Sequence, residues 1–218
     1  MKIEVEDIDL LKISNIFTCT LQKEVSLILK KHNLTQNLVG FFKGETHLHT
    51  ARVALFSDLI AKKRGLSDNL RNKLVAVAPF HDFGKLCIVE EILNKPSKLT
   101  EKEFSEVKKH CEFGHKLLSN NNNQILDIAA IVAYQHHEKY DGSGYPQGLQ
   151  GEQIHLFARI VAVADVLDSL ISQRPYKKGW KKDKVRAFFE KERGKHFDPI
   201  IVDLVLEDFD RFFYLCNV

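Results

Sequence analysis

The sequence predicts an all-α protein, folded as a compact helical bundle with a metal centre held between helices. Apolar residues recur at steps of three and four, and the strict alternation of a half-buried strand is nearly absent. Apolar residues make up 44% of the 218-residue chain, which is enough to bury a core. The chain also contains ten histidines, and one carboxylate, Asp165, interrupts the apolar run 160–167. The last two features point to metal ligands inside the bundle.

The first half of the chain contains several helix signals. Residues 8–31 have the apolar spacing of one or two amphipathic helices. A further helix is predicted over 49–64, with Gly65 as its end, and the next begins at Ser67 and Asp68. Thr100 followed by Glu103 has the spacing of a capping box, which predicts another helix start.

The second half alternates helices with two loop signals. Four asparagines at 120–123 predict a turn, because Asn tolerates left-handed backbone angles. Segment 141–148 contains three Gly and one Pro and predicts a loop directly after His136 and His137. The predicted helices of this half are 125–137, 155–171, 183–191 and 199–213.

Charge and cysteine content exclude several classes of protein. With 32 Lys and Arg against 29 Asp and Glu, the net charge of +3 argues against a nucleic-acid binder. The four cysteines form no CxxC pair and are interpreted as free thiols in a reducing compartment. No signal peptide and no apolar stretch of about 20 residues is present, so we expect a cytoplasmic protein with no membrane segment.

The candidate ligands are histidines and carboxylates spread over the chain. Glu45 and His49 share one face of a helix. His81 and Asp82 follow an apolar run and would be costly to bury without partners. A buried carboxylate such as Asp165 is rare unless it is paired or metal-bound. The eight candidates exceed one ion's needs: Glu45, His49, His81, Asp82, His110, His136, His137 and Asp165. Two ions sharing a carboxylate can use them, with a third as an option, and their donor types favour transition metals over Ca²⁺ or Mg²⁺.

Two longer motifs resemble a known family. Residues 81–85 read HDFGK, and residues 136–146 read HHEKYDGSGYP. They resemble the HDxGK and HHExxDGxGYP motifs of the HD-GYP family of cyclic di-GMP phosphodiesterases, a branch of the HD metal-dependent phosphohydrolase superfamily. The resemblance covers about residues 45–205 and implies an HD-type helical bundle that hydrolyses cyclic di-GMP to pGpG, and in some members on to GMP. Every candidate ligand lies after Gly40, so we expect an N-terminal helical extension over 1–40, followed by the phosphodiesterase domain over 41–218.

The resemblance assigns the ligands to ions. One ion would be held by His49, His81, Asp82 and Asp165, and Asp82 would bridge to a second ion completed by His110, His136 and His137. Glu45 would hold a third. The family implies Fe or Mn as the metal, with Ni, Co or Zn as alternatives.

The resemblance also implies substrate contacts. Lys85 would contact the scissile phosphate and act with Asp82 in catalysis, and Arg174 and Lys177 would grip the phosphates. Gly144 and Tyr145 would line the nucleotide pocket. Asp168, one helical turn after Asp165, would either support the metal ligands or face the pocket.

Two other interpretations of the function stay open from the sequence. The substrate could instead be a mixed cyclic dinucleotide, 3′3′-cGAMP, because metals and basic groups recognise phosphates rather than bases. The domain could also be a non-catalytic module that binds cyclic di-GMP. A diguanylate cyclase partner and a homodimer through the N-terminal helices are further expectations. One departure from the family pattern is Cys111, which follows His110 where Pro is usual and which would make metal loading sensitive to oxidation.

Overall fold

The computed structural model describes residues 24–34, 45–172 and 178–215, without the side chains of 45–47. The described part is helical, as predicted, and contains no β-strand. Its α-helices are α1 (24–31), α2 (Glu45–Lys63), α3 (Asp68–Val77), α4 (Glu90–Leu93), α5 (Glu101–Lys108), α6 (His110–Leu118), α7 (Gln124–Gln135), α8 (Leu156–Ile171), α9 (Lys182–Glu192), α10 (Pro199–Glu207) and α11 (Phe209–Leu215). Three 3₁₀ segments lie at Ala78–Phe80, Phe83–Cys87 and Gly151–Gln153.

The predicted helix boundaries arise from local hydrogen bonds. The Thr100 hydroxyl accepts from the Glu103 amide at 3.2 Å, and the Glu103 carboxylate accepts from the Thr100 amide at 2.8 Å. This confirms the capping box before α5. Asn120 and Asn122 have φ angles of +60° and +52°, which confirms the left-handed turn before α7.

Two predictions differ from the structure by more than one or two residues at a helix end. The predicted helix 199–213 is two helices, because Asp208 leaves the helical conformation at φ −124° and ψ 32°. The helix predicted from residue 49 already begins at Glu45. Of the helical pattern predicted over 8–31, only 24–31 lies within the described residues and is helical.

Helix α8 forms the centre of the core. It is apolar around most of its circumference, as expected for a helix buried on several sides. Helices α2 and α7 pack against it, and α6 packs against α7 and against the 3₁₀ segment Phe83–Cys87. These packed elements carry the candidate ligands.

A glycine brings two of these elements close together. A Cβ on Gly84 would lie 1.9 Å from the carbonyl oxygen of His110 and 2.4 Å from the amide nitrogen of Gly114. Only glycine permits this approach of the 3₁₀ segment to α6. The contact places Asp82 beside His110.

No helix in the described part of the chain is both long enough and apolar enough to cross a membrane.

Candidate metal centre

The His81–Asp82 pair lies in a turn between two 3₁₀ segments. His81 is fully buried, and its Nδ1 donates to the carbonyl oxygen of Ala78 at 2.9 Å. The lone pair of the ring is therefore on Nε2, which has no hydrogen-bond partner among the described residues. A buried nitrogen without a partner is costly, and a metal ion would satisfy it.

The first ligand group consists of His49, His81 and Asp165, which come from α2, the turn and α8. One ligand atom from each lies within 4.8 Å of the other two. His49 Nε2 is 3.3 Å from Asp165 Oδ1, and His81 Nε2 is 3.9 Å from the same oxygen. Three residues separated by up to 116 positions thus converge on one point.

The second ligand group consists of His110, Cys111, His136 and His137, whose ligand atoms also lie within 4.8 Å of one another. His110 Nδ1 donates to the Val107 carbonyl oxygen at 2.7 Å. His136 Nδ1 donates in the same way to a carbonyl oxygen of the preceding turn, 3.1 Å away. These bonds aim both Nε2 atoms into the group, where they are 3.4 Å apart.

Asp82 lies between the two groups. Its Oδ2 is 3.4 Å from His81 Nε2, and its Oδ1 is 3.4 Å from His110 Nε2. Lys85 donates to Oδ2 at 2.5 Å. One carboxylate therefore reaches ligands of both groups, which is the geometry that a bridging ligand needs.

The protonation states suit metal binding in the second group. Burial lowers the pKa of His137 to about 3. Burial also lowers the pKa values of His110 and His136, the latter well below its usual value. These imidazoles are neutral at pH 7, and the neutral ring is the form that binds a metal ion.

The carboxylates are ionised. Burial alone would raise the pKa of Asp82, but Lys85 and His81 hold it well below its usual value. Burial would also raise the pKa of Asp165, and the hydrogen bond from His49 lowers it instead. For His49, burial favours a lower pKa, but the bonds to Asp165 and Asp168 outweigh it and raise the pKa to about 9.

Asp168 orients a ligand. Its buried carboxylate accepts from His49 Nδ1 at 2.6 Å, from Arg52, and from the Ser172 hydroxyl at 3.0 Å. With Nδ1 engaged, His49 presents Nε2 to Asp165. The sequence suggested two roles for Asp168, support of the metal ligands or a position facing the pocket. These contacts favour the first role.

The loop after His137 is held against the centre by Glu138. The Glu138 carboxylate is buried and accepts from the amides of Gln147 and Leu149, at 2.7 and 3.1 Å. A Cβ on Gly144 would lie 2.2 Å from the Lys139 amide nitrogen, so glycine is needed for the close return of the loop. Sequence reasoning missed Glu138, although an acidic residue before a glycine-rich loop is a natural acceptor for loop amides.

The Tyr145 side chain lies at the edge of the second group. Its ring stacks on His137 with centroids 4.9 Å apart. The Lys108 ammonium lies 5.0 Å from the centre of the same ring. An aromatic face and a cation thus lie beside the candidate metal centre.

Three predicted site residues fall outside these contacts. Glu45 begins α2, but its side chain is outside the described residues. Arg174 and Lys177 also lie outside the described ranges. Their predicted roles stay predictions.

Comparison with known proteins identifies the class of domain. A family profile described as HD domain matches residues 33–201. The chain therefore belongs to the HD domain family, and its predicted membership of the HD-GYP branch is confirmed.

Two curated relatives and one solved structure illustrate the similarity. The chain is 45% identical to the cyclic di-GMP phosphodiesterase response regulator RpfG of Xanthomonas campestris pv. campestris, over 77% of this chain and 44% of that protein. It is 40% identical to 3′3′-cGAMP-specific phosphodiesterase 2 of Vibrio cholerae, over 81% of this chain and 34% of the relative. The HDG"Y"P protein of Bdellovibrio bacteriovorus has the same fold, with a TM-score of 0.60 at 20% identity, over 91% of this chain and 64% of that one. The chain thus spans less than half the length of the two curated relatives.

Proposed function

We propose that this protein is a metal-dependent phosphodiesterase that hydrolyses cyclic di-GMP to pGpG. The observation that supports this most strongly is the position of Asp82, whose two oxygens face the two ligand groups at 3.4 Å each. A relative at 45% identity is named for cyclic di-GMP hydrolysis.

The residues fit a centre of two divalent ions. The first group and Asp82 would hold one ion, and Asp82 with the second group would hold the other. When bound, such ions polarise phosphoryl oxygens and supply a nucleophile at neutral pH. The protein's part is to keep the imidazoles neutral and the carboxylates ionised, and to orient the rings through backbone carbonyls and Asp168.

Lys85 is placed to act on the phosphate. It is partly exposed, and its ammonium lies against Asp82 at the edge of the centre. A cation in this position offsets the negative charge that grows on the phosphoryl oxygens during the reaction. Tyr145, at the adjacent edge, offers an aromatic face to a base, and Gly144 keeps its loop in place. Arg174 and Lys177 complete the proposed phosphate contacts.

The identity of the metal is a finer part of the proposal. We propose Fe or Mn, with Ni, Co or Zn as alternatives, and a third ion if Glu45 faces the centre. Metal analysis of protein purified without oxygen tests both the identity and the number of ions.

A second substrate has specific support. A relative at 40% identity is named a 3′3′-cGAMP-specific phosphodiesterase. The described contacts address phosphate and the face of a base, which both dinucleotides share. Comparing kcat/KM for the two substrates decides between them, and a preference for 3′3′-cGAMP would replace the first assignment.

The experiment is an incubation of the protein with cyclic di-GMP and each metal, with products separated by chromatography. We expect pGpG from the wild type and none from the variant His81→Ala with Asp82→Ala. His32→Ala, at an exposed histidine that belongs to neither ligand group, is the matched control and should keep full turnover. Turnover by the double variant would contradict the proposal. If the fully metal-loaded wild type binds cyclic di-GMP without cleaving it, the protein is instead the non-catalytic binding module.

The wider organisation belongs to the same proposal. The predicted boundary between an extension over 1–40 and a domain over 41–218 lies outside the described residues. The family match begins at residue 33. The diguanylate cyclase partner, the homodimer and the cytoplasmic location stay predictions. Size-exclusion chromatography with light scattering, on the full chain and on a 41–218 variant, tests the dimer.

A further inference from the structure

Cys111 is the unexpected member of the second ligand group. It is fully buried at the start of α6, and its Sγ lies with the ligand atoms of His110, His136 and His137 inside a 4.8 Å cluster. The HD-GYP motifs do not account for a sulfur donor here.

Two distances within the group are those expected between ligands that share one ion. For metal–nitrogen bonds of about 2.05 Å and a metal–sulfur bond of about 2.3 Å, tetrahedral geometry sets N···N near ~3.4 Å and N···S near ~3.6 Å. His110 Nε2 and His136 Nε2 are 3.4 Å apart. Cys111 Sγ and His110 Nε2 are 3.6 Å apart.

A second observation points to a metal in the same region. His81 Nε2, which faces Asp82, is buried and has no hydrogen-bond partner within the part of the chain that the structure describes. Asp82 also faces His110 at 3.4 Å. The sulfur therefore lies where several buried nitrogen and oxygen donors converge.

We propose that Cys111 is a thiolate ligand of the second ion. This inference rests on the metal centre of the proposed function and adds a ligand to it. On binding, the S–H bond breaks, its proton leaves to water, and a sulfur–metal bond forms, with no change of oxidation state. A thiolate shifts the preference of the site toward softer ions such as Zn²⁺, Fe²⁺ and Co²⁺, and away from Mn²⁺.

Cobalt reports the sulfur directly. Metal-stripped full-length protein is titrated with Co²⁺ without oxygen, and the near-ultraviolet thiolate-to-cobalt charge-transfer band is followed. We expect the band in the wild type and its loss in Cys111→Ser and in Cys111→Ala. Cys87→Ser is the matched control, because Cys87 belongs to neither ligand group, and it should keep the band. A variant with Cys111 as its sole cysteine should keep it as well, which excludes Cys19 and Cys216 as its source.

Metal affinity gives an independent measurement. We expect Cys111→Ser to weaken Zn²⁺ binding by at least about tenfold, since loss of a mere supporting partner already costs that much. Mn²⁺ affinity should change far less. Circular dichroism is used to check that each variant folds. If serine disturbs the fold at this buried position, the same metal titrations are made with Cys111→Ala.

Two results would overturn this inference in different ways. Stoichiometric Co²⁺ binding without the band, or with a band that survives in Cys111→Ser, would show that the centre exists and that Cys111 is not its ligand. No Co²⁺ binding at all would remove the metal centre itself, and the proposed function with it.

Discussion

Replacing Asp168 with asparagine tests how the orientation of His49 affects metal binding, because the variant keeps His49 itself. In the wild type, His49 Nδ1 donates to Asp168 Oδ2 at 2.6 Å, so Nε2 faces Asp165 and offers its lone pair to a metal ion once its own proton has left. An asparagine keeps its amide oxygen on Arg52 and turns its NH₂ group toward His49. His49 Nδ1 must then accept, so the ring proton moves to Nε2 and the metal-binding lone pair is lost.

The expected effects follow from these contacts. Loss of an outer partner of a metal-binding histidine costs about 10- to 100-fold in metal affinity. Breaking a buried ion pair costs about 3–5 kcal/mol. The loss of folding stability should stay below this range, because the amide oxygen still accepts from Arg52.

The assay is competition between metal-stripped protein and a chelator for Mn²⁺, with urea unfolding in parallel. The matched control is Asp203→Asn, which removes an Asp–Arg pair on the surface, where Asp203 lies 2.7 Å from Arg193. It should leave metal affinity unchanged and cost less than about 1 kcal/mol of stability. Wild-type affinity in Asp168→Asn would refute the orienting role of Asp168.

Three further predictions concern packing, the loop and pH. Gly84→Ala should lower the free energy of unfolding by at least about 2 kcal/mol, because the alanine Cβ would lie 1.9 Å from the His110 carbonyl oxygen. Urea unfolding of this variant at the wild-type midpoint would contradict the prediction. Glu138→Gln should cost about 1–3 kcal/mol in the same assay, since one loop amide loses its acceptor, and an unchanged midpoint would exclude the role of Glu138. The pKa of His49 is raised to about 9 from its ordinary 6.5. Protonation of His49 therefore stabilises the metal-free protein. This stabilisation is fully present below pH 6.5 and is lost as the pH rises through about 9. Since a metal must displace that proton, affinity of the stripped protein should rise by up to about tenfold per pH unit toward pH 9, and calorimetric titrations showing no such rise would contradict it.

The sequence was sufficient for local features of the fold. The capping box at Thr100 and the left-handed turn at Asn120 depend on residues within a few positions of each other, so their patterns are readable directly. The break at Asp208 was missed because the apolar spacing continues through it. The two 3₁₀ segments around Asp82 were also missed, because periodicity does not distinguish a short 3₁₀ turn from the end of a helix.

The site was only partly predictable for a physical reason. The motifs named residues that the structure brings together, including His81, His137 and Asp165. The contact between Arg52 and Asp168 joins residues 116 positions apart, and no local pattern reports it. Cys111 was noted only as a departure from a family pattern, because its place among the ligands depends on how α6 packs against α7.

In the proposed centre, two ligand groups joined by Asp82 hold two adjacent ions. The most direct test is a crystal of the full chain grown with Co²⁺ and measured for anomalous scattering. We predict two peaks about 3.5–4 Å apart, one on each side of the Asp82 carboxylate. A single peak, or peaks with no contact to Asp82, would contradict the account.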